Sequence, residues 1–349
     1  MVHGGVMVRS SQAPSPSREA VDPHQGRVHR KLRLSVTDRC ALRCTYCVPD
    51  EAPQWLPRER LLSFEEITRF VAAAAVPMGL TRVRLTGGEP LQRKGLVDLV
   101  AMLRAIPGLR SLALTTNAER LAPMAEDLQR AGISDLNVSL DTLSRDRFKA
   151  LAGLDRLPQV LNGIERAASL PFGSRKLNCV PLRGVNEDEL CDLVRFGTER
   201  GFEVRFIEYM PFGSQWRRHR AVDIGQILSS MEETFGPVES LGTVPGETAH
   251  RYRLSDGTEF GVIRTLSEPF CGHCDRVRLT ADGRLLPCLF ATDGPSVRPL
   301  IRAAASPEEL QQAVMRALGS KGPGFLVQMR DRLQGDAAQP HRDMRGLGG

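Results

Sequence analysis

The chain reads as an α/β protein built on an incomplete barrel of six strands and their helices, extended at its C-terminal end. Three observations lead there. Short apolar-alternating runs alternate with amphipathic stretches from residue 31 to about residue 207, the pattern of repeated βα units. A length of 349 residues fits one large α/β domain with an appendage, or two domains. Past about residue 211 the pattern changes to hairpins and isolated helices. Six strands in βα order fit an open (β/α)6 TIM-type barrel, with a doubly wound sheet as the alternative. In both, ligands gather at the carboxyl ends of the strands.

Taken in order, residues 1–27 carry Ser10, Ser11, Pro14, Ser15, Pro16 and Ser17 with little apolar content, and read as a disordered extension. Strands are expected at 31–36, 82–85, 112–115, 135–138, 176–180 and 204–207. Helices are expected at 63–75, 96–106, 121–131, 157–168 and 188–200. Ser63 followed by Glu66 is a capping box, and Gly132 and Gly201 are helix stops. Beyond the barrel come a helix at 224–235, a hairpin at 252–260 turning at Asp256-Gly257, a second at 277–286 turning at Asp282-Gly283, and a helix at 306–318. The expected division is 1–27 extension, 28–235 barrel, 236–335 C-terminal region and 336–349 flexible tail.

Composition narrows the class. Hydrophobic residues make up 41% of the chain, enough for a sizeable core, yet no apolar run reaches bilayer length. The N-terminus lacks the apolar core of a secretory signal, so a cytoplasmic protein without a membrane partner is expected. Six of the eight cysteines fall in two tight groups, which favours metal binding in a reducing compartment over disulfides. A net charge of +6 favours an anionic partner. No block of five like charges occurs, and at 5% aromatics are thin for a nucleic-acid stacking platform. Stable nucleic-acid binding is therefore not expected, and the positive charge belongs inside a site.

The chemistry-bearing residues follow from spacing. Cys40, Cys44 and Cys47 form a C-x3-C-x2-C group just past the first strand. Three thiolates leave a four-iron cluster one ligand short, and the open iron can bind a small molecule. A structural zinc site or free buried thiols are the bland alternatives. Cys271, Cys274 and Cys288 form a second group, readable alone as zinc as readily as iron–sulfur. Thr86-Gly87-Gly88-Glu89-Pro90 follows the second strand, where glycines allow close approach to the backbone. Arg33, Arg82, Arg84, Lys176 and Arg205 alternate with apolar residues on their strands, and Arg276 and Arg278 follow the second cysteine group. Such cations sharing a cavity imply a polyanionic ligand or matching carboxylates.

Cys40-Ala-Leu-Arg-Cys-Thr-Tyr-Cys47, with Tyr46 before the last thiol, resembles the radical S-adenosylmethionine (radical SAM) superfamily. The segments 34–40, 84–91, 137–141, 176–178, 205–211 and 276–283, with the terminal Gly348-Gly349, resemble more narrowly the GTP 3′,8-cyclases of molybdenum cofactor biosynthesis. The resemblance runs from about residue 28 to the end. It implies two [4Fe–4S] clusters, on Cys40, Cys44 and Cys47 and on Cys271, Cys274 and Cys288. It implies SAM contacts from Tyr46, Gly88, Ser139 and Met210. GTP contacts are implied for Arg33, Arg82, Arg84, Thr115, Lys176, Arg205, Arg276, Val277 and Arg278. Gly348, Gly349 and Arg33 are implied in catalysis. The implied reaction takes hydrogen from ribose C3′ and joins C3′ to guanine C8. An electron donor, a downstream cyclic pyranopterin monophosphate synthase and a monomer or homodimer complete the expectation. Ala118, Val48 and Asp275 depart from the usual family residues, Asp275 placing a carboxylate beside the expected phosphate cations.

Overall fold

The computed structural model describes residues 19–47, 55–212, 216–244, 246–291, 293–322, 324 and 344. Strands β1 (Lys31–Ser35), β2 (Arg82–Thr86), β3 (Ser111–Thr116), β4 (Asp135–Ser139), β5 (Ser174–Cys179) and β6 (Glu203–Ile207) lie parallel and in chain order. Successive side chains of a strand point to opposite faces. Leu32, Leu34, Val83, Leu85, Leu136, Val138, Leu177 and Phe206 are all buried in the main core, on one face. The alternate positions carry the Arg, Lys, Asn and Thr residues.

Helices α1 (Phe64–Phe70), α2 (Leu96–Arg104), α3 (Ala125–Ala131), α4 (Arg145–Ala152), α5 (Leu157–Ala168) and α6 (Leu190–Glu199) connect the strands. Ser63 caps α1: its hydroxyl accepts from the Glu66 N–H at 3.1 Å, and Glu66 accepts from the Ser63 N–H at 2.7 Å. The helix continues as a π-helical turn, Val71–Ala75. Gly132 and Gly201 take φ of +119° and +69°, the left-handed stops expected of them. Helix α3 starts four residues later than expected, because Pro123 disfavours the helical conformation at Ala122. Helix α4 escapes the sequence because it offers only Phe148, Leu151 and Ala152 to the core.

The C-terminal region differs more from expectation. After α7 (Ile224–Phe235) come β7 (Glu239–Thr243), β8 (His250–Arg253), β9 (Glu259–Ile263), β10 (Arg276–Leu279) and β11 (Leu285–Leu286). Both expected hairpins form, β8–β9 and β10–β11. Their strands do not make a separate layer. β9 pairs in parallel with β6 at one edge of the barrel sheet, and β10 pairs in parallel with β1 at the other. The described strands thus form one sheet, β11-β10-β1-β2-β3-β4-β5-β6-β9-β8-β7. The fold is the expected open α/β array, and residues past 235 supply strands to both of its edges. Short helix α8 (Arg298–Arg302) precedes α9 (Pro307–Gly319), which Ser306 and Glu309 close with a further capping box. No described helix is long and apolar enough to cross a membrane.

The N-terminal expectation needs correction. Residues 19–27 are not a loose extension: Ala20 and Asp22 are fully buried, and Arg27 is 9% exposed. Asp22 Oδ2 holds Arg27 Nε at 2.7 Å, and the His24, Gln25 and Arg27 N–H groups also donate to the Asp22 carboxylate. Low apolar content conceals this segment, since a buried ion pair rather than a hydrophobic stripe fixes it. Residues 1–18 lie outside the described residues.

Candidate active site

The polar face of the strands lines a cavity of about 620 Å³. Strand register explains how the cations meet there. Arg33 on β1 is level with Arg84 on β2 and Arg278 on β10, and Lys31 is level with Arg82 and Arg276. Lys176 and Arg205 enter from β5 and β6. Like charges on neighbouring strands repel. Burial and the adjacent Arg278, Arg276 and Arg84 push the Arg33 guanidinium well below its ordinary value. Burial likewise brings Arg84 and Arg278 down to about 10.

Carboxylates offset part of this field. Glu247 reaches Arg205 Nη2 at 2.8 Å and Lys176 Nζ at 3.7 Å, and Glu203 holds Arg205 Nε at 2.7 Å. Asp275 pairs with Lys31 at 3.1 Å, so the unusual carboxylate beside the cations is matched by one of them. Its other oxygen is buried without a hydrogen bond, as are Thr115 Oγ1, Asn137 Oδ1 and Asn178 Oδ1. The last three line the cavity from β3, β4 and β5. Each such group costs about 1–3 kcal/mol until something pairs with it.

Both thiol groups open onto the same cavity, all six cysteines being half-buried and outside any disulfide. The first sits on the loop after β1. The Arg43 N–H donates to Ala152 O at 2.8 Å and the Thr45 N–H to Leu151 O at 3.0 Å, so the end of α4 braces this loop. The Thr86–Pro90 turn braces it from the other side. Gly88 N–H donates to Thr37 O at 2.8 Å and Glu89 N–H to Arg39 O at 2.7 Å. A Cβ on Gly88 would lie 2.4 Å from Arg39 O, so it is the cysteine loop's backbone that requires this glycine. Glu89 accepts from Thr116 Oγ1, the Asn117 N–H and the Leu91 N–H, and burial still raises its carboxyl to about 7. Tyr46 donates to Asp141 at 2.5 Å. Burial raises Asp141 to about 6, against the pull of that bond.

The second thiol group lies beside β10. Asn117 Nδ2 donates to Cys40 Sγ at 3.7 Å in the first group, whereas Arg276 Nη1 donates to Cys274 Sγ at 3.8 Å in the second. Among the described residues, no three His, Cys, Asp or Glu side chains converge tightly enough to hold a single ion. A four-iron cluster is wider than one ion, and three thiols with sulfur-directed N–H donors on an enclosed cavity fit its chemistry.

Of the residues singled out in the sequence, Tyr46, Gly88, Ser139, Met210, Thr115 and all the named cations line this cavity. Val277 does not: its side chain is fully buried in the main core, because β10 turns only Arg276 and Arg278 toward the cavity. Gly348 and Gly349 lie outside the described residues. Met344, five residues from the end, does line the cavity, and its N–H approaches Cys47 O at 3.4 Å. Sequence reasoning missed Lys31, Asn137, Asn178, Asp141 and Glu247. The alternation already visible on β1 could have found Lys31.

An open parallel β/α sheet with three thiols on its first loop is the architecture of a radical SAM enzyme. The Radical SAM superfamily model matches residues 34–197, and the Molybdenum Cofactor Synthesis C model matches residues 202–327. Among solved structures, Streptococcus suis SuiB bound to S-adenosylmethionine shares the fold with a TM-score of 0.57 at 13% identity, over 92% of this chain and 78% of that one. GTP 3′,8-cyclase 3 of Mycobacterium bovis is 44% identical over 83% of this chain and 78% of its own length. GTP 3′,8-cyclase of Rhodopirellula baltica is 40% identical over 93% and 90% respectively. The chain belongs to the GTP 3′,8-cyclase family.

Proposed function

We propose that the cavity binds SAM at the first thiol group and GTP between that group and the second. The chain is a radical SAM GTP 3′,8-cyclase. It converts GTP to (8S)-3′,8-cyclo-7,8-dihydroguanosine 5′-triphosphate, the first step of molybdenum cofactor biosynthesis. A [4Fe–4S] cluster held by Cys40, Cys44 and Cys47 would supply the one-electron reduction of SAM that makes hydrogen abstraction at ribose C3′ possible.

The chain's own residues orient and neutralise. Arg33, Arg84 and Arg278 form the row that receives the triphosphate, with Arg82, Arg276, Lys176 and Arg205 around it. Thr115, Asn137 and Asn178 turn their unpaired oxygens to the nucleoside. Gly88, Ser139, Met210 and the Tyr46 segment hold SAM. Cys271, Cys274 and Cys288 would hold a second [4Fe–4S] cluster, which would help to bind the guanine. Residues 28–235 supply the barrel and 236–335 its edges and second thiol group, Met344 lines the cavity, and Gly348 and Gly349 take part in catalysis. An external electron donor reduces the enzyme, and cyclic pyranopterin monophosphate synthase consumes the product.

One observation carries this reading: the aligned cations and both thiol groups share a single cavity. The test is anaerobic reconstitution, then incubation with SAM, reductant and GTP, followed by mass spectrometry. Deoxyadenosine that depends on GTP, together with the cyclised nucleotide, is expected. Deoxyadenosine formed equally without GTP, and no nucleotide product, would overturn it.

A further inference from the structure

A lysine is buried beside the second thiol group. Lys321, just past α9, is 7% exposed. Its ammonium donates to Arg276 O at 2.6 Å and to Cys274 Sγ at 3.6 Å, and it meets His29 Nε2 at 2.8 Å. The imidazole is itself fixed. His29 Nδ1 faces two carbonyl oxygens, Arg27 O at 2.9 Å and Ala20 O at 3.3 Å, so Nδ1 carries the proton and Nε2 accepts from Lys321. Next to it, Arg27 donates to Cys271 O at 2.7 Å and to Lys321 O at 3.0 Å, and the Asp22 carboxylate anchors it.

These contacts join the N-terminal segment to the loop of the second thiol group. The partners of the Lys321 ammonium are an imidazole nitrogen, carbonyl oxygens and a thiol. A buried ammonium is costly without an anion. A thiolate on a metal cluster supplies one, and N–H···S bonds and nearby positive charge shift a cluster's potential.

We infer that Lys321, aimed by His29, is a positioning residue that donates to the Cys274 sulfur and raises the reduction potential of the cluster held there. This rests on Cys271, Cys274 and Cys288 being cluster ligands. His29, Arg27 and Asp22 act through it by setting the ammonium and the Cys271 loop in place.

The test is iron counting and an EPR-monitored redox titration of the reconstituted full chain. The variant C40A/C44A/C47A identifies which signal belongs to the second cluster. Wild type is expected to take up about eight irons. Lys321→Met should move the midpoint of the second cluster alone to more negative potential, and Lys321→Arg should restore most of it. An unchanged midpoint in fully loaded Lys321→Met would overturn the inference and leave the two-cluster reading standing. Uptake of only about four irons by wild type would overturn that reading, and the inference with it. Should Lys321→Met lose the second cluster, restoration of iron by Lys321→Arg supports the sulfur-directed donor, and loss in both variants sinks it.

Discussion

The two thiol groups face one cavity from opposite electrical surroundings. Around Cys40, Cys44 and Cys47 the buried ionisable neighbours are acids, Asp141 and Glu89. Burial, with Cys47 and Asp141 nearby, pushes the Cys44 thiol well above its ordinary value. Around Cys271, Cys274 and Cys288 the neighbours are cations, Lys321, Arg27, Arg276 and Arg278. Partial burial raises the Cys274 thiol too, yet Lys321 and Arg276 outweigh it and hold the thiol down to about 7. Negative charge is thus resisted at Cys44 and favoured at Cys274, although burial still raises the Cys271 thiol. If each group holds a cluster, these neighbours would make the first the stronger reductant and the second the better seat for an anionic ligand.

The sharpest way to break this contrast is to remove one thiol from each group. Cys44→Ala should take SAM cleavage to background, while Cys274→Ala should still release deoxyadenosine and form no cyclised nucleotide. Quantifying both products by mass spectrometry checks this. GTP-dependent deoxyadenosine from Cys44→Ala would sink the assignment of the first group.

Next in size is the cationic side itself. Arg276→Ala removes a charged donor worth about 1.5–3 kcal/mol, so GTP should bind about 10- to 150-fold more weakly while SAM binding holds. Equilibrium binding of each ligand decides it, and equal losses count against a phosphate role.

A third change works on the counter-charge. Glu247→Gln removes the carboxylate shared by Lys176 and Arg205, leaving Glu203 on Arg205. GTP should then bind about fivefold more tightly, the modest gain expected from a partly exposed pair worth ~1 kcal/mol. Unchanged binding would mean that the triphosphate does not compete with Glu247.

The smallest effect concerns only the support of the second group. Against burial, which alone would raise it, Arg27 and the turn N–H groups hold Asp22 at about 2 instead of 3.8. That difference corresponds to about 2 kcal/mol. Because the folded-state value is depressed, this stabilisation is complete above about pH 4 and fades as the pH falls toward 2. Asp22→Asn should lower stability by about 2 kcal/mol at pH 7, and chemical denaturation at pH 7 and pH 3 should show the gap narrowing in acid.

What the sequence revealed tracks how locally each feature is encoded. Strands β1 to β6 were legible because Leu32, Leu34, Val83 and Leu85 alternate with arginines within a few residues. The cysteines and the barrel arginines were legible by spacing and by face. Partners far along the chain were not. Glu247 lies 42 residues from Arg205, and Lys321 lies 292 residues from His29, so no periodicity links them. The parallel pairing of β10 with β1 is equally invisible, because a hairpin signal says nothing of the edge on which its strand will dock. Ala118 shows a subtler limit. It adopts φ of +60° where the family usually has Gly, a left-handed conformation that the residue type alone would argue against.

The pairing of β10 with β1 also constrains the birth of the protein. Strand β1 ends at residue 35, and the neighbour that covers its outer edge starts at residue 276. During synthesis that edge stays open until nearly four-fifths of the chain has been made, and an open strand edge invites pairing with another chain. The loop of Cys40, Cys44 and Cys47 follows directly from the waiting strand. A ribosome stalled before residue 276 would thus hold the first thiol group on an unfinished sheet. Cys271, Cys274 and Cys288 are likewise made only within the last quarter of the chain, so the two thiol groups can face each other only late in synthesis.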